Sequence, residues 1–253
     1  MERISMTPKE LLVLASKLGA ITFYGLQDPF RGMSRAEIKA SIPQLQQQAE
    51  RRGLAAMGFE QDFNVAPEAA ELITTCIKCE RYMTVDVMVD GTRQPREVIY
   101  QYEGGSVLLQ DHTEEVVLQK VDANALWDRI YRQYFSKCAE FSPQDQDVRL
   151  PPMTLTKLRT LDDGDGIEQL KGYGCAEELA ESIMQGLHGR CPYISLIRVD
   201  VQNSSCISLL SILSNSGIVR LWLENDAGEE FCHANWIGRQ DAENALAEVF
   251  QGF

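Results

Sequence analysis

The sequence predicts an α+β protein built from two halves, 1–141 and 142–253, related by a pseudo-two-fold axis around a central antiparallel sheet. Each half reads helix, four-stranded antiparallel meander, helix. Three observations carry that expectation. Apolar residues change from a helical period of about 3.6 to strict alternation near residue 80, and again near residue 192. The alternating segments are joined by short connections, which only antiparallel neighbours allow. Each run of alternation is followed by an amphipathic helix.

Residues 3–6 read as extended. Thr7-Pro8-Lys9-Glu10 then opens a helix as a capping box, with Thr at the N-cap, Pro at the first helical position and Glu three residues on. Leu11, Leu14, Ala15 and Leu18 form its apolar stripe, and Gly19 stops it. A second box, Ser34-Arg35-Ala36-Glu37, opens a helix that runs to Arg52 and stops at Gly53, with Pro43 expected to kink or divide it. A third helix starts near Ala66-Pro67-Glu68 and continues through Cys79. Alternation in 82–90 then puts Met83, Val85, Val87 and Val89 on one face and Tyr82, Thr84, Asp86 and Met88 on the other. Strands over 96–103, 106–110 and 114–121 follow. A long helix from the N-cap Asp122 to about Ala139 carries Trp127, Ile130, Tyr131, Tyr134 and Cys138 on one side, a stripe expected to pack on its own sheet, with a groove for a partner helix as the competing reading.

The order then recurs. Residues 141–152, rich in Pro, Asp and Gln, read as a connector. A short helix over 153–161 and a clearer one over 175–187 lead into alternating segments at 192–201, 205–213, 218–224 and 229–236. A helix over 241–250 closes the chain.

Composition narrows the function. With 37 acidic and 24 basic side chains the chain of 253 residues carries a net charge of −13, which repels polyanions, and its longest basic cluster is Arg51-Arg52. Nucleic acid is therefore not an expected partner. The uncharged run 201–219 holds six serines, two asparagines and a glutamine, so it reads as two strands and a turn rather than a membrane span. The apolar patch 11–15 is too short for a signal-peptide core, and a cytoplasmic protein is expected. Seven cysteines, odd in number and irregularly spaced, agree with a reducing compartment.

The motifs that carry chemistry fail on inspection. Cys76-Ile77-Lys78-Cys79 lies at the C-terminal end of a helix, where the dipole raises a thiol pKa, and no further zinc ligands stand nearby. Asp162-Asp163-Gly164-Asp165-Gly166, set in an EF-hand register, places Leu161 and Gly172 where Asp and Glu are required, so it reads as a solvated turn before a helix. His112, His188 and His233 are isolated: a hairpin turn, a helix end and a strand. No nucleophile elbow, P-loop or dinucleotide fingerprint accompanies them. No catalytic residue, metal or cofactor is expected. An enzyme using a cleft between the halves would require His233, Cys232 and an acid of the first half to converge. Arg96, Val98, Tyr100 and Tyr102 share one side of a strand, the composition of an interface patch; half-buried tyrosines on a solvated sheet face are the competing reading.

Three stretches resemble the EspG-type chaperones of type VII secretion: Ser5-Met6-Thr7-Pro8-Lys9-Glu10-Leu11-Leu12 with Leu18-Gly19, then Gln48-Ala49-Glu50-Arg51-Arg52-Gly53-Leu54, then Phe63-Asn64-Val65 with Leu72. The resemblance covers the first ~130 residues better than the rest, and the cysteine-containing acidic composition suits a relative from a Gram-positive secretion locus. It implies a non-enzymatic cytosolic protein that holds a helical secretion substrate, of the WxG-motif or LXG-like kind, through a sheet face, a first-half hairpin loop and C-terminal helices. The matching positions are Asp90, Arg93 and Arg96 in the hairpin and Val98, Tyr100 and Tyr102 on the sheet face, with no residue assigned in the C-terminal helices. A self-associating subunit, such as a homodimer paired at a sheet edge, is a further alternative.

Overall fold

The computed structural model describes residues 3–58, 62–136, 147–151, 153–214, 217–226 and 229–253, and one antiparallel sheet of 11 strands runs through both halves. The first half supplies β1 (Arg3–Met6), α1 (Pro8–Lys17), α2 (Arg35–Arg51), a small hairpin β2 (Ala55–Met57) and β3 (Phe63–Val65), and α3 (Pro67–Ile77). Its meander is β4 (Arg81–Val89), β5 (Thr92–Arg93), β6 (Arg96–Tyr102), β7 (Gly105–Asp111) and β8 (Val116–Val121), followed by α4 (Ala123–Ile130), which continues as a π turn over Tyr131–Phe135. The second half supplies β9 (Val148–Leu150), α5 (Thr154–Leu158), α6 (Asp163–Gly172) and α7 (Glu177–Leu187). The meander β10 (Tyr193–Asp200), β11 (Ser205–Ser214), β12 (Gly217–Asp226) and β13 (Glu229–Ile237) and the helix α8 (Arg239–Phe250) complete it.

The strand order β1-β8-β7-β6-β4-β10-β11-β12-β13-β9 displays the repeat. Each leading strand folds back on the last strand of its own meander, β1 on β8 and β9 on β13. The first strands of the two meanders, β4 and β10, pair antiparallel at the centre from Arg81↔Asp200 to Met88↔Tyr193. The boundary expected at 141/142 lies outside the described residues, as does Cys138.

Residues opposite one another across a ladder share a face, so three cores sort onto two faces. On the first face, α1 and α3 bury Leu11, Leu14, Leu72 and Ile73 against Val98, Tyr100, Leu109 and Leu118 of the first meander. On the same face, at the far end, α5, α6 and α7 bury Leu158, Leu170, Leu179 and Ile183 against Ile212, Val219, Leu221 and Ala234. On the opposite face α4, the π turn and α8 cover the middle, and Met83, Val85, Val87, Ile194 and Leu196 meet Leu126, Ile130, Phe135 and Leu246. We call these the lobed face and the capped face.

Both capping boxes form: Thr7 and Ser34 accept from the backbone N–H of Glu10 and Glu37, whose carboxylates accept from the N-cap N–H groups in return. Other expectations are corrected. Pro43 does not divide α2, which runs through it with the proline ring exposed. Asp162 is not part of a turn ahead of the next helix but the N-cap of α6 itself, accepting from Asp165 N at 3.0 Å. Three residues of the expected connector form the edge strand β9, and 63–65 pairs with 55–57 as a small hairpin immediately before α3.

Candidate functional site

Helices cover the two ends of the lobed face and leave its middle open. The inner wall of the first lobe is the segment 20–33. Its fit explains the fate of the aromatic strip on β6: the Tyr100 hydroxyl donates to Tyr24 O at 2.5 Å, Phe23 packs edge-on to the Tyr100 ring, and Gly25 sits so close to Val98 that a Cβ there would approach Cγ1 to 2.8 Å. Val98 and Tyr100, expected on an open sheet face, are thus both fully buried, and they support this wall from beneath. Tyr24 turns back over the sheet and stacks on Tyr82 of β4, ring centroids 5.1 Å apart. On the other side α7 lies directly on β11, with Gly186 against Ile212.

Between these walls the floor is made by alternate residues of β4, β10 and the near part of β11. Tyr82, Asp86, Met88, Tyr193, Ser195, Ile197, Val199, Ser208 and Leu210 are half-buried, Thr84 opposite Ile197 is buried, and Cys206 is exposed. Among the described residues Ile197 and Val199 join none of the three cores. Three strands about 4.8 Å apart give a floor about 14 Å wide, room for one α-helix of about 10–12 Å diameter. Along β4 and β10 the eight paired positions extend it about 26 Å. Such a trough, apolar with scattered hydroxyls, suits an amphipathic helix laid on a sheet.

At one end stands the hairpin between β4 and β5. Asp90 and Gly91 hold φ of 49° and 69°, the pair of left-handed residues that a two-residue type I′ turn requires. Arg93 and Arg96 both reach back to Asp86 on the floor; Arg96 does so with Nη2 at 2.7 Å and Nε at 3.1 Å from the two carboxylate oxygens, and also donates to Gly25 O. Burial alone pushes the Asp86 carboxyl up, but the hydrogen bonds and charge of the two guanidiniums outweigh it and hold the group below its ordinary value. Beside the hairpin opens a cleft of about 470 Å³ lined by Leu26, Pro29, Arg93, Pro95, Arg96 and His112.

The six residues expected to touch a partner therefore separate. Asp90 and Arg93 are exposed in the hairpin, Arg96 is a partly covered tether, and Val98 and Tyr100 are core. Tyr102 lies at the opposite end of β6, where it lines a separate groove beside α3 and hydrogen-bonds Glu103. Missed from the sequence were Ile197 and Val199. Their signal was available: β10 is apolar on both faces (Ile194, Leu196, Ile197, Val199), unusual for an antiparallel strand that lacks a cover on one side.

The enzyme constellation does not assemble. His233 Nδ1 lies 3.1 Å from Asp147, an acid of the second half, and Cys232, its neighbour in β13, points to the opposite face into the second lobe's core. Among the described residues no group of His, Cys, Asp and Glu is placed to hold a metal. Cys76 and Cys79 are buried free thiols; burial pushes Cys76 well up and Cys79 to about 11. Among the described residues no helix is long and apolar enough to cross a membrane.

No protein-family model and no curated protein sequence matches the chain. A solved structure does: the Mycobacterium tuberculosis type VII secretion system chaperone EspG5 in complex with the PE25–PPE41 dimer, at a TM-score of 0.62 and 10% identity, covering 98% of this chain and 95% of that one. The likeness shows a shared fold over nearly the whole length of both chains.

Proposed function

We propose that the chain is a non-enzymatic chaperone of a type VII-like secretion system, which holds a helical segment of a secretion substrate in the central trough of the lobed face. The observation that carries this reading is the open middle of that face, a floor one helix wide whose apolar residues Ile197 and Val199 pack into no core of their own. A partly exposed apolar strip rimmed by polar groups suits a protein-binding surface. Two further facts support it: the sequence resembles EspG-type chaperones in three stretches, and the fold is shared with a chaperone whose structure was solved with the proteins PE25 and PPE41 bound.

The substrate would be a small helical protein of the WxG-motif or LXG-like kind, engaged in the cytoplasm before export. Asp90 and Arg93 would contact its rim and tune the encounter rate, and the floor would contribute the affinity. The test is affinity capture by the tagged protein and by its Ile197→Arg variant, with mass spectrometry of what co-elutes. Substrates of that kind recovered by the wild type and lost with the variant sustain the reading. The same proteins recovered by both would remove the trough from it.

A further inference from the structure

Beyond the last pair of the central ladder, Met88↔Tyr193, the hairpin of β4 and β5 overhangs the sheet without a strand from the second half beside it. β5 contributes only two residue pairs, and an isolated ribbon of that size is not stable by itself in water. What meets it is the turn between α7 and β10. Gly189, at φ 71° and buried, lies so close that a Cβ placed on it would stand 2.8 Å from Gly91 Cα, 3.3 Å from Gly91 N and 3.2 Å from Met88 Sδ. Backbone rests on backbone there, and no rotamer change could relieve an added methyl.

Each side of this contact is anchored in its own lobe. The hairpin is tied to the floor through Arg93 and Asp86, and Gln94 N donates to Val87 O at 2.9 Å. The glycine turn is tied to the N-terminal turn of α6, where Asp163 accepts from Arg190 and lies 2.8 Å from His188 Nδ1.

We infer that Gly91 and Gly189 form a clasp between the two lobes, which holds the hairpin in place and closes the trough at that end. The clasp is a property of the partner-free protein; its use, as a stop that limits how far a bound helix extends along the floor, rests on the proposed function. One other consequence follows from geometry alone: the hairpin's order depends on a residue almost a hundred positions away in the chain.

The experiment compares amide hydrogen exchange in the partner-free wild type, Gly189→Ala and Gly53→Ala. Gly53 has nearly the same left-handed backbone, φ 72°, with nothing within 4 Å of its Cβ position, so it carries the same conformational strain without the collision. Exchange in 90–95 at least tenfold faster in Gly189→Ala than in Gly53→Ala, with the β6–β8 amides alike in both, is the expected result. Equal hairpin exchange in the two variants overturns the clasp. Should Gly189→Ala fail to fold, Asp163→Ala loosens the same turn from a partly exposed position outside the cores; hairpin exchange about threefold faster is expected, and unchanged exchange overturns the clasp as well. Because no partner is present, this outcome is independent of the capture experiment: a confirmed clasp with failed capture removes only the functional reading.

Discussion

The two faces of the central strands β4 and β10 are one stretch of sequence serving two purposes. On the capped face Met83, Val85, Val87, Ile194 and Leu196 are between 0% and 6% exposed beneath α4 and α8. On the lobed face their immediate neighbours Tyr82, Asp86, Met88, Ile197 and Val199 remain partly exposed, and only Thr84 among them is buried. Hydrophobicity does not separate the adjacent pair Leu196 and Ile197, whose side chains are isomers. What separates them is whether the chain supplies its own cover. A sheet closed on one side by helices gains its stability there, and the other side is free to be covered by something else.

The comparison breaks most sharply at adjacent residues. Leu196→Ala should cost about 3 kcal/mol of unfolding free energy, as a fully buried leucine does. Ile197→Ala should cost clearly less, about 1.5 kcal/mol, because Ile197 keeps part of its area in contact with water and joins none of the three cores. Urea denaturation of the two variants decides it, and similar losses would show that both faces are structural.

Next in size is Arg198, on the capped face, whose Nη1 donates to the carbonyls of Glu248, Val249 and Gln251 and so closes the C-terminal end of α8. Arg198→Gln should destabilise by about 2 kcal/mol by leaving helix-terminal carbonyls short of a charged donor. If the loss is no greater than for Arg93→Gln, which is exposed on the hairpin, the capped face is not where the stability lies.

A smaller effect, about 1 kcal/mol at pH 7, is expected for Asp86→Asn on the lobed face. The folded protein holds the Asp86 carboxyl below its ordinary value of 3.8, so its contribution is complete above that value and is lost as the pH falls through the lowered one. The stability difference between wild type and variant should stay level from pH 7 to about pH 5 and shrink below about pH 4. A difference that grew on acidification would reverse the sign and place the carboxyl in a different environment.

The smallest perturbation is a label. Cys206 is exposed on the trough floor, whereas Cys76 and Cys79 are buried thiols held protonated at neutral pH. Removing Cys206 by Cys206→Ser should abolish one fast-reacting thiol in iodoacetamide labelling at pH 8, and a captured substrate should slow the labelling of Cys206 without altering stability. Undiminished labelling in the complex would locate the partner elsewhere.

Much of the architecture was legible because alternation and turn chemistry are local. The strands and both capping boxes follow from residues within a few positions of one another, and so does the repeat of order between halves. The errors share one cause, which is cover supplied from a distance. Alternation correctly gave Arg96, Val98, Tyr100 and Tyr102 one side of β6, but the segment 20–33, which has no periodicity to announce it, folds over the middle two and turns an expected surface into core. The trough has the inverse history: Ile197 looks like any strand residue, and only the absence of a helix above it marks it out. α6 escaped because its first turn is Asp- and Gly-rich, and β9 because three residues between Pro and Asp carry too little pattern.

The central ladder joins positions more than a hundred residues apart, 81–88 with 193–200. Contacts of that separation form slowly, since a long loop must close before any of them is made. On a ribosome the floor of the trough cannot exist until β10 has left the exit tunnel, however early α1–α3 have settled on their own strands. A nascent chain stopped before residue 189 would carry one strand of the floor and no clasp, so competence to receive cargo arrives in a single late event rather than accumulating with length.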